Sequence, residues 1–63
     1  MKLGREELVT GADVGRRLGI SRERVRQLAK REDFPEPVGQ LGTYVVWRWQ
    51  DVERWAKREG RLA

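Results

Sequence analysis

The sequence contains no cysteine and no histidine. Without cysteine there is no disulfide framework of the kind that staples small secreted folds, and the chain fits a reducing compartment. Without either residue, the usual ligand clusters for a structural zinc are missing. A cysteine nucleophile and a histidine base are likewise excluded. Ser21 is the sole serine, and its position ahead of a helix gives it a capping role. No apolar run approaches the roughly 20 residues that span a bilayer. The opening Met1-Lys2-Leu3-Gly4-Arg5-Glu6-Glu7 lacks the apolar core of a secretory signal. The expectation is therefore a cytoplasmic chain with no membrane partner. Asp33 and Glu36 flank Phe34-Pro35, but two carboxylates on a rigid connector do not make a catalytic site without a pocket. A chain of 63 residues has little room for a ligand pocket of the usual 300 Å³ or more, to give a rough figure. The sequence reads as a non-enzyme, without cofactor or metal.

What is present is positive charge and tryptophan. The net charge is +4 and the sequence pI about 10.3. Such an excess favours polyanions, nucleic acid before acidic membrane surfaces. A domain this small buries only about 60% of its unfolded surface. With no disulfide or metal to help, three tryptophans must supply much of the core, each burying about 150–250 Å². No repeat, linker or low-complexity tract divides the chain, so residues 1–63 are expected to form one domain.

Local punctuation sets the elements. Thr10 is an N-cap with Asp13 at the capping-box position. Val14 and Leu18 share one face of the helix that follows, and Gly19 ends it as a left-handed cap. Gly11 and Gly15 each weaken this helix by up to about 1 kcal/mol relative to alanine, which marks Gly15 as a close-packing site. Ser21 caps a second helix, expected to run to about residue 31. Val25, Leu28 and Ala29 form its apolar stripe, with Glu23, Arg26, Gln27 and Lys30 facing the other way. Pro35 pushes Phe34 out of helical space, so Phe34-Pro35-Glu36-Pro37 is a rigid connector. A hairpin is expected over about 37–48, with Leu41-Gly42 at its tip. Thr43 to Trp47 is its better strand, β-branched and aromatic. Alternation puts Val45 and Trp47 on the core face and Tyr44, Val46 and Arg48 on the other. A last helix over about 50–59 buries Val52, Trp55 and Ala56 and stops at Gly60. Trp47 and Trp55 are core residues, and Trp49 packs at the edge of the core.

The resulting order is helix, glycine turn, helix, hairpin, helix. The fold class is mainly α with a small β-hairpin, a winged helix-turn-helix with the helix-turn-helix at about 10–31. Ile20 plugs the angle between the two helices. Segment 21–35 carries five cations against three acids, so positive charge concentrates on the second helix. That helix has the character of a recognition helix for double-stranded DNA, which presents its first turn and outer face to base edges. The candidate contacts are Ser21, Arg22, Glu23, Arg24, Arg26, Gln27, Lys30 and Arg31. Arginine pairs bidentately with guanine and glutamine with adenine. A capping Ser21 beside free backbone amides offers a seat for phosphate. Gln40, Gly42, Thr43, Tyr44 and Arg48 are the candidates on the wing and its flank, and Arg16 and Arg17 are possible phosphate contacts. Arg54, Lys57, Arg58 and Arg61 alternate with Glu53 and Glu59 and read as solvated ion pairs near a helix C-terminus.

Three stretches also resemble a known family. Ala12-Asp13-Val14-Gly15-Arg16-Arg17-Leu18-Gly19-Ile20-Ser21-Arg22 is similar to the helix-turn-helix opening of excisionases and AlpA-type regulators, which carry small MerR-like winged-helix domains. Phe34-Pro35-Glu36-Pro37-Val38 resembles their proline connector. Trp47 followed by Asp51-Val52-Glu53 and Trp55 resembles their closing pattern. The likeness spans about residues 8–58. It implies a recognition helix in the major groove and a wing at the adjacent minor groove or backbone, in a bacterial or phage-infected cell. For an excisionase it further implies several copies on neighbouring sites, bent DNA and a phage-type integrase as partner. For an AlpA-type member it implies transcription control. The chain departs from the pattern in its wing: Gly39-Gln40-Leu41-Gly42-Thr43-Tyr44 has no cation. The last helix also lacks a serine-like cap. A reading outside this class is a protein–protein adaptor or antitoxin-like module, favoured by the uncharged wing and by Trp49.

Overall fold

Thr10 ends one element and starts the next. It is the last residue of a short strand and the N-cap of the first helix, with its side chain accepting from the Asp13 amide. The Asp13 carboxylate in turn accepts from the Thr10 amide at 3.0 Å and from its hydroxyl at 3.1 Å. The computed structural model describes residues 7–61; the sequence reading of residues 1–6 lies outside them. The described elements are β1 (Leu8–Thr10), α1 (Gly11–Leu18), α2 (Arg22–Leu28), β2 (Gly39–Leu41), β3 (Tyr44–Arg48) and α3 (Trp49–Arg58). The order is that of a winged helix-turn-helix.

The turn between α1 and α2 is fixed by two glycines. Gly19 adopts φ +73°, the left-handed conformation that costs glycine nothing. Gly15 is buried on α1, and its carbonyl accepts from the Ile20 amide at 2.9 Å. A Cβ on Gly15 would stand 2.8 Å from the Ile20 carbonyl oxygen, so the turn folds directly back onto α1. Ile20 packs against the core from inside this corner. Ser21 then caps α2, accepting from the Arg24 amide at 3.0 Å.

Helix α2 is shorter than its polarity pattern predicts. It ends at Leu28, and Lys30 and Arg31 lie in tight turns whose amides bond Gln27 and Leu28 at 3.2 and 3.0 Å. Tightening to three-residue spacing is common at helix ends. Here it swings Phe34 into the core, where it is 4% exposed, and a continued helix would not. Ala29, expected on the buried stripe, is exposed; Val25 and Leu28 carry the stripe alone.

The hairpin belongs to a larger sheet than expected. β3 is the central strand of three, order β1-β3-β2, antiparallel throughout. Val9 pairs with Trp47 and Thr10 with Val46, while Gln40 pairs with Val45 and Leu41 with Tyr44. β1 escapes sequence reading because three residues running straight into a helix cap give alternation no length to show itself. Its presence explains a second departure. Val46, expected on an open face, is buried, because Thr10 and Gly39 flank it on both sides. The hairpin tip is Gly42-Thr43, one residue beyond the expected Leu41-Gly42. Gly42 has φ +60°, as a two-residue hairpin turn with glycine first requires.

The core joins Val9, Val14, Val25, Leu28, Phe34, Trp47, Val52, Trp55 and Ala56. Phe34 sits edge-on to Trp47, centroids 5.7 Å apart, and to Trp55 at 4.8 Å. The Trp47 indole N–H donates to the Pro35 carbonyl at 3.1 Å, satisfying the one polar group of a nearly buried ring. α3 begins at Trp49 with Arg48 as an N-cap that makes no side-chain cap bond. Gly60 follows it at φ +76°.

Helix propensity alone predicts that Gly15→Ala stabilises α1 by about 1 kcal/mol. The close approach of Ile20 predicts the reverse, a net loss of about 1–3 kcal/mol and a melting temperature lower by several degrees. Thermal unfolding reads the sign directly, and a raised midpoint would contradict the packing account.

Candidate nucleic-acid interface

The outward face of α2 is open. Arg22, Glu23, Arg24, Arg26 and Gln27 are all exposed, as are Ser21 ahead of them and Lys30 and Arg31 beyond. Arg26 pairs with Glu23 at 3.3 Å, and Arg24 donates to the Gln27 side chain at 3.2 Å. Both contacts lie one helical turn apart on the surface. Exposed pairs of this kind contribute about 0–1 kcal/mol, so an incoming acceptor exchanges with them at little cost. Arg22 and Lys30 make no such contact among the described residues.

Beside α2 lies an open cleft of about 530 Å³, more room than the length of the chain leads one to expect. It is lined by Arg22, Val25, Arg26 and Ala29 from α2 and its end, by Thr43, Tyr44 and Val45 from the wing, and by Trp47 with Gly11 and Ala12 of the first turn of α1. A helix face rich in arginine and the wing thus share one opening. Gly11 and Ala12 were not among the sequence candidates. The Thr10 cap immediately before them is the signal that could have found them, since it marks where amides of a first turn are left exposed.

The remaining candidates separate by surroundings. Arg31 pairs with Asp33 at 3.1 Å and Glu59 at 3.7 Å, which ties it to the C-terminal end of α3. Arg48 lies at the end of β3 opposite the hairpin tip, paired across to Leu8. It reaches Asp51 at 3.7 Å and is about 13 Å along the strand from Tyr44 at ~3.3 Å per residue. Gln40 turns its amide onto the Gly42 carbonyl at 3.0 Å, bracing the wing tip from within. Thr43 and Tyr44 are exposed on the cleft, with Gly42 at the turn beside them. Arg16 pairs with Asp13. The Thr10 amide, its hydroxyl and Arg16 together hold the Asp13 carboxyl below the usual range.

Arg17 has a structural partner on each side. It forks onto the Glu7 carboxylate and lies over the Trp49 ring, 4.8 Å from its centroid. The Glu7 carbonyl also accepts from the Trp49 amide at 2.8 Å. This clasp joins the chain before β1 to α1 and to the start of α3. Hydrogen bonding from Arg17 holds the Glu7 carboxyl below its ordinary value and, reciprocally, raises the Arg17 guanidinium. Trp49 is half-buried and packed on the core, as the sequence suggests.

Among the described residues no group of three acidic side chains could hold a metal ion, and no helix is long and apolar enough to cross a membrane. Paired helices at a glycine turn, a hairpin beside the second helix and a closing helix define the class: a winged helix-turn-helix. Over residues 2–31 the chain matches the family model for sigma-70, region 4, a helix-turn-helix DNA-binding domain. The match takes in α1 and α2 and stops before the wing. Comparison with curated proteins and with solved structures finds no match. Fold and match together support sequence-specific DNA binding.

Glu7, with its lowered pKa, stabilises the clasp above its ordinary value of 4.5. That contribution is lost as pH falls through the still lower folded value. Tryptophan emission is expected to change in this acid range ahead of global unfolding, and Glu7→Gln to abolish the early change. An identical acid titration in the variant would remove the clasp from Trp49's surroundings.

Proposed function

We propose that this chain reads double-stranded DNA with α2 in the major groove, and that it is an excisionase-type factor. The observation that carries the DNA reading is the unobstructed row of Arg22, Arg26 and Gln27 beside a cleft shared with the wing. In this reading Arg26 and Gln27 read bases, Arg22, Arg24 and Lys30 hold phosphates, and Thr43 and Tyr44 meet the backbone from the wing. Ser21 and Glu23 stand at the leading end of the helix. Arg16, Arg31 and Arg48 stand outside the lining of the cleft and contribute at most a general positive field. Arg17 serves the fold.

The excisionase role rests on the resemblance over residues 8–58. It predicts several copies on adjacent sites, bent DNA and an integrase partner. A second reading, transcription regulation of AlpA type, has the sigma-70 region 4 match over residues 2–31 in its favour. A footprint on DNA flanking the gene, titrated for cooperativity, separates them. Extended, cooperative protection supports the excisionase, and a single filled promoter site supports the regulator.

Two results test the shared DNA claim. Affinity is expected to fall with salt at a logarithmic slope of about −0.9 per phosphate neutralised; a flat profile favours the protein–protein adaptor. Arg26→Ala is expected to weaken specific binding by about 1–3 kcal/mol and relax one base position, read by competition with point-substituted duplexes. Unchanged affinity and specificity would take Arg26 out of the readout.

A further inference from the structure

The wing has no cation between Gly39 and Tyr44, so it cannot grip DNA by neutralising phosphate. Its most prominent feature is apolar. Leu41 is 67% exposed and Tyr44 63%, the two most exposed large hydrophobic side chains described. They are direct cross-strand partners, either side of the Gly42-Thr43 turn. The stalk beneath them is short and braced: the turn has only two residues, Gly42 sits at φ +60°, and the Gln40 side chain donates to the Gly42 carbonyl. Tyr44 and Thr43 also line the cleft that Arg22 and Arg26 line. Part of the wing therefore borders the same cleft as the recognition face.

We propose that Leu41 is an apolar wedge that enters the minor groove and partly unstacks one base step, with Tyr44 packing beside it. The inference rests on the DNA-binding reading above. Side chains of this kind, on a rigid mount, are what minor-groove proteins insert between base steps to kink a duplex. A charged tip would stop at the phosphates; the Leu41 side chain has neither charge nor donor to hold it there, and only the groove floor and the stack can bury it. Flexible pyrimidine–purine steps unstack most easily, so such a step is expected under the wing rather than under α2.

The test uses the whole chain and a duplex that it selects from a random pool. 2-Aminopurine is placed in turn at each step flanking the α2 footprint, and end-labelled DNA reports bending by energy transfer. Severalfold brightening at one step, with a bend, is expected for the native chain. Leu41→Ser should lose both while still binding the selected site, and Leu41→Met should keep both. Because Leu41 is exposed, each variant should melt like the native chain. Binding without brightening, or brightening that survives in Leu41→Ser, overturns the wedge and leaves the DNA reading standing. Failure to select any duplex overturns both. Self-association without DNA that is lost in Leu41→Ser also overturns the wedge, assigning Leu41 to a contact between copies.

Discussion

Phe34 standing edge-on between Trp47 and Trp55 is the contact on which the molecule depends. Each aromatic pair adds about 0.5–1.5 kcal/mol beyond its buried area, but the geometric effect matters more. Trp47 comes from the wing strand, Trp55 from the closing helix, and Phe34 from the connector that leaves α2. Locking the three together fixes the wing relative to α2 without any covalent staple. Trp47 also reaches under the first turn of α1, where a Cβ on Gly11 would lie 4.0 Å from its ring. One indole thus belongs both to the core and to the lining of the cleft.

The charges divide along the same lines. Acids accompany cations at the edges of the fold, in the pairs Arg17–Glu7, Arg31–Asp33 and Lys57–Glu53. On α2 the balance tips: Glu23 is the only acid of the helix, against three arginines. Low-energy surface pairs keep those side chains extended without committing them. Under the proposed DNA reading, a duplex offers phosphate and guanine acceptors to the same guanidinium groups in place of surface contacts that contribute only about 0–1 kcal/mol. In that reading, recognition is a displacement of weak contacts on a surface already exposed on α2.

Much of this was legible in the residues. The Thr10–Asp13 box, the Gly19 cap, the Ser21 cap and the Gly60 stop are local chemistry, and each stands where the sequence put it. Close packing at Gly15 followed from a glycine placed where propensity opposes it. What escaped was non-local. β1 is visible only through its pairing with β3, and Val46 is buried only because β1 lies beside it. The early end of α2 depends on Phe34 reaching two tryptophans far along the chain. In the candidate site, the arginine row was legible because helical spacing is local. The cleft was not, because Gly11 and Ala12 come to line one opening with Tyr44 and Val45 only after the sheet has formed. Leu41 was placed near the tip, but its exposure depends on the pairing register.

The central claim is that α2 and the wing form one DNA-facing surface. Backbone amide shifts, followed by NMR as a selected duplex is titrated into the labelled protein, test it most directly. The account predicts perturbation concentrated at Gly11–Ala12, Ser21–Gln27 and Leu41–Tyr44, with the outer face of α3 unmoved. Shifts centred on Glu53–Arg58, or α2 silent while the duplex binds, would contradict it.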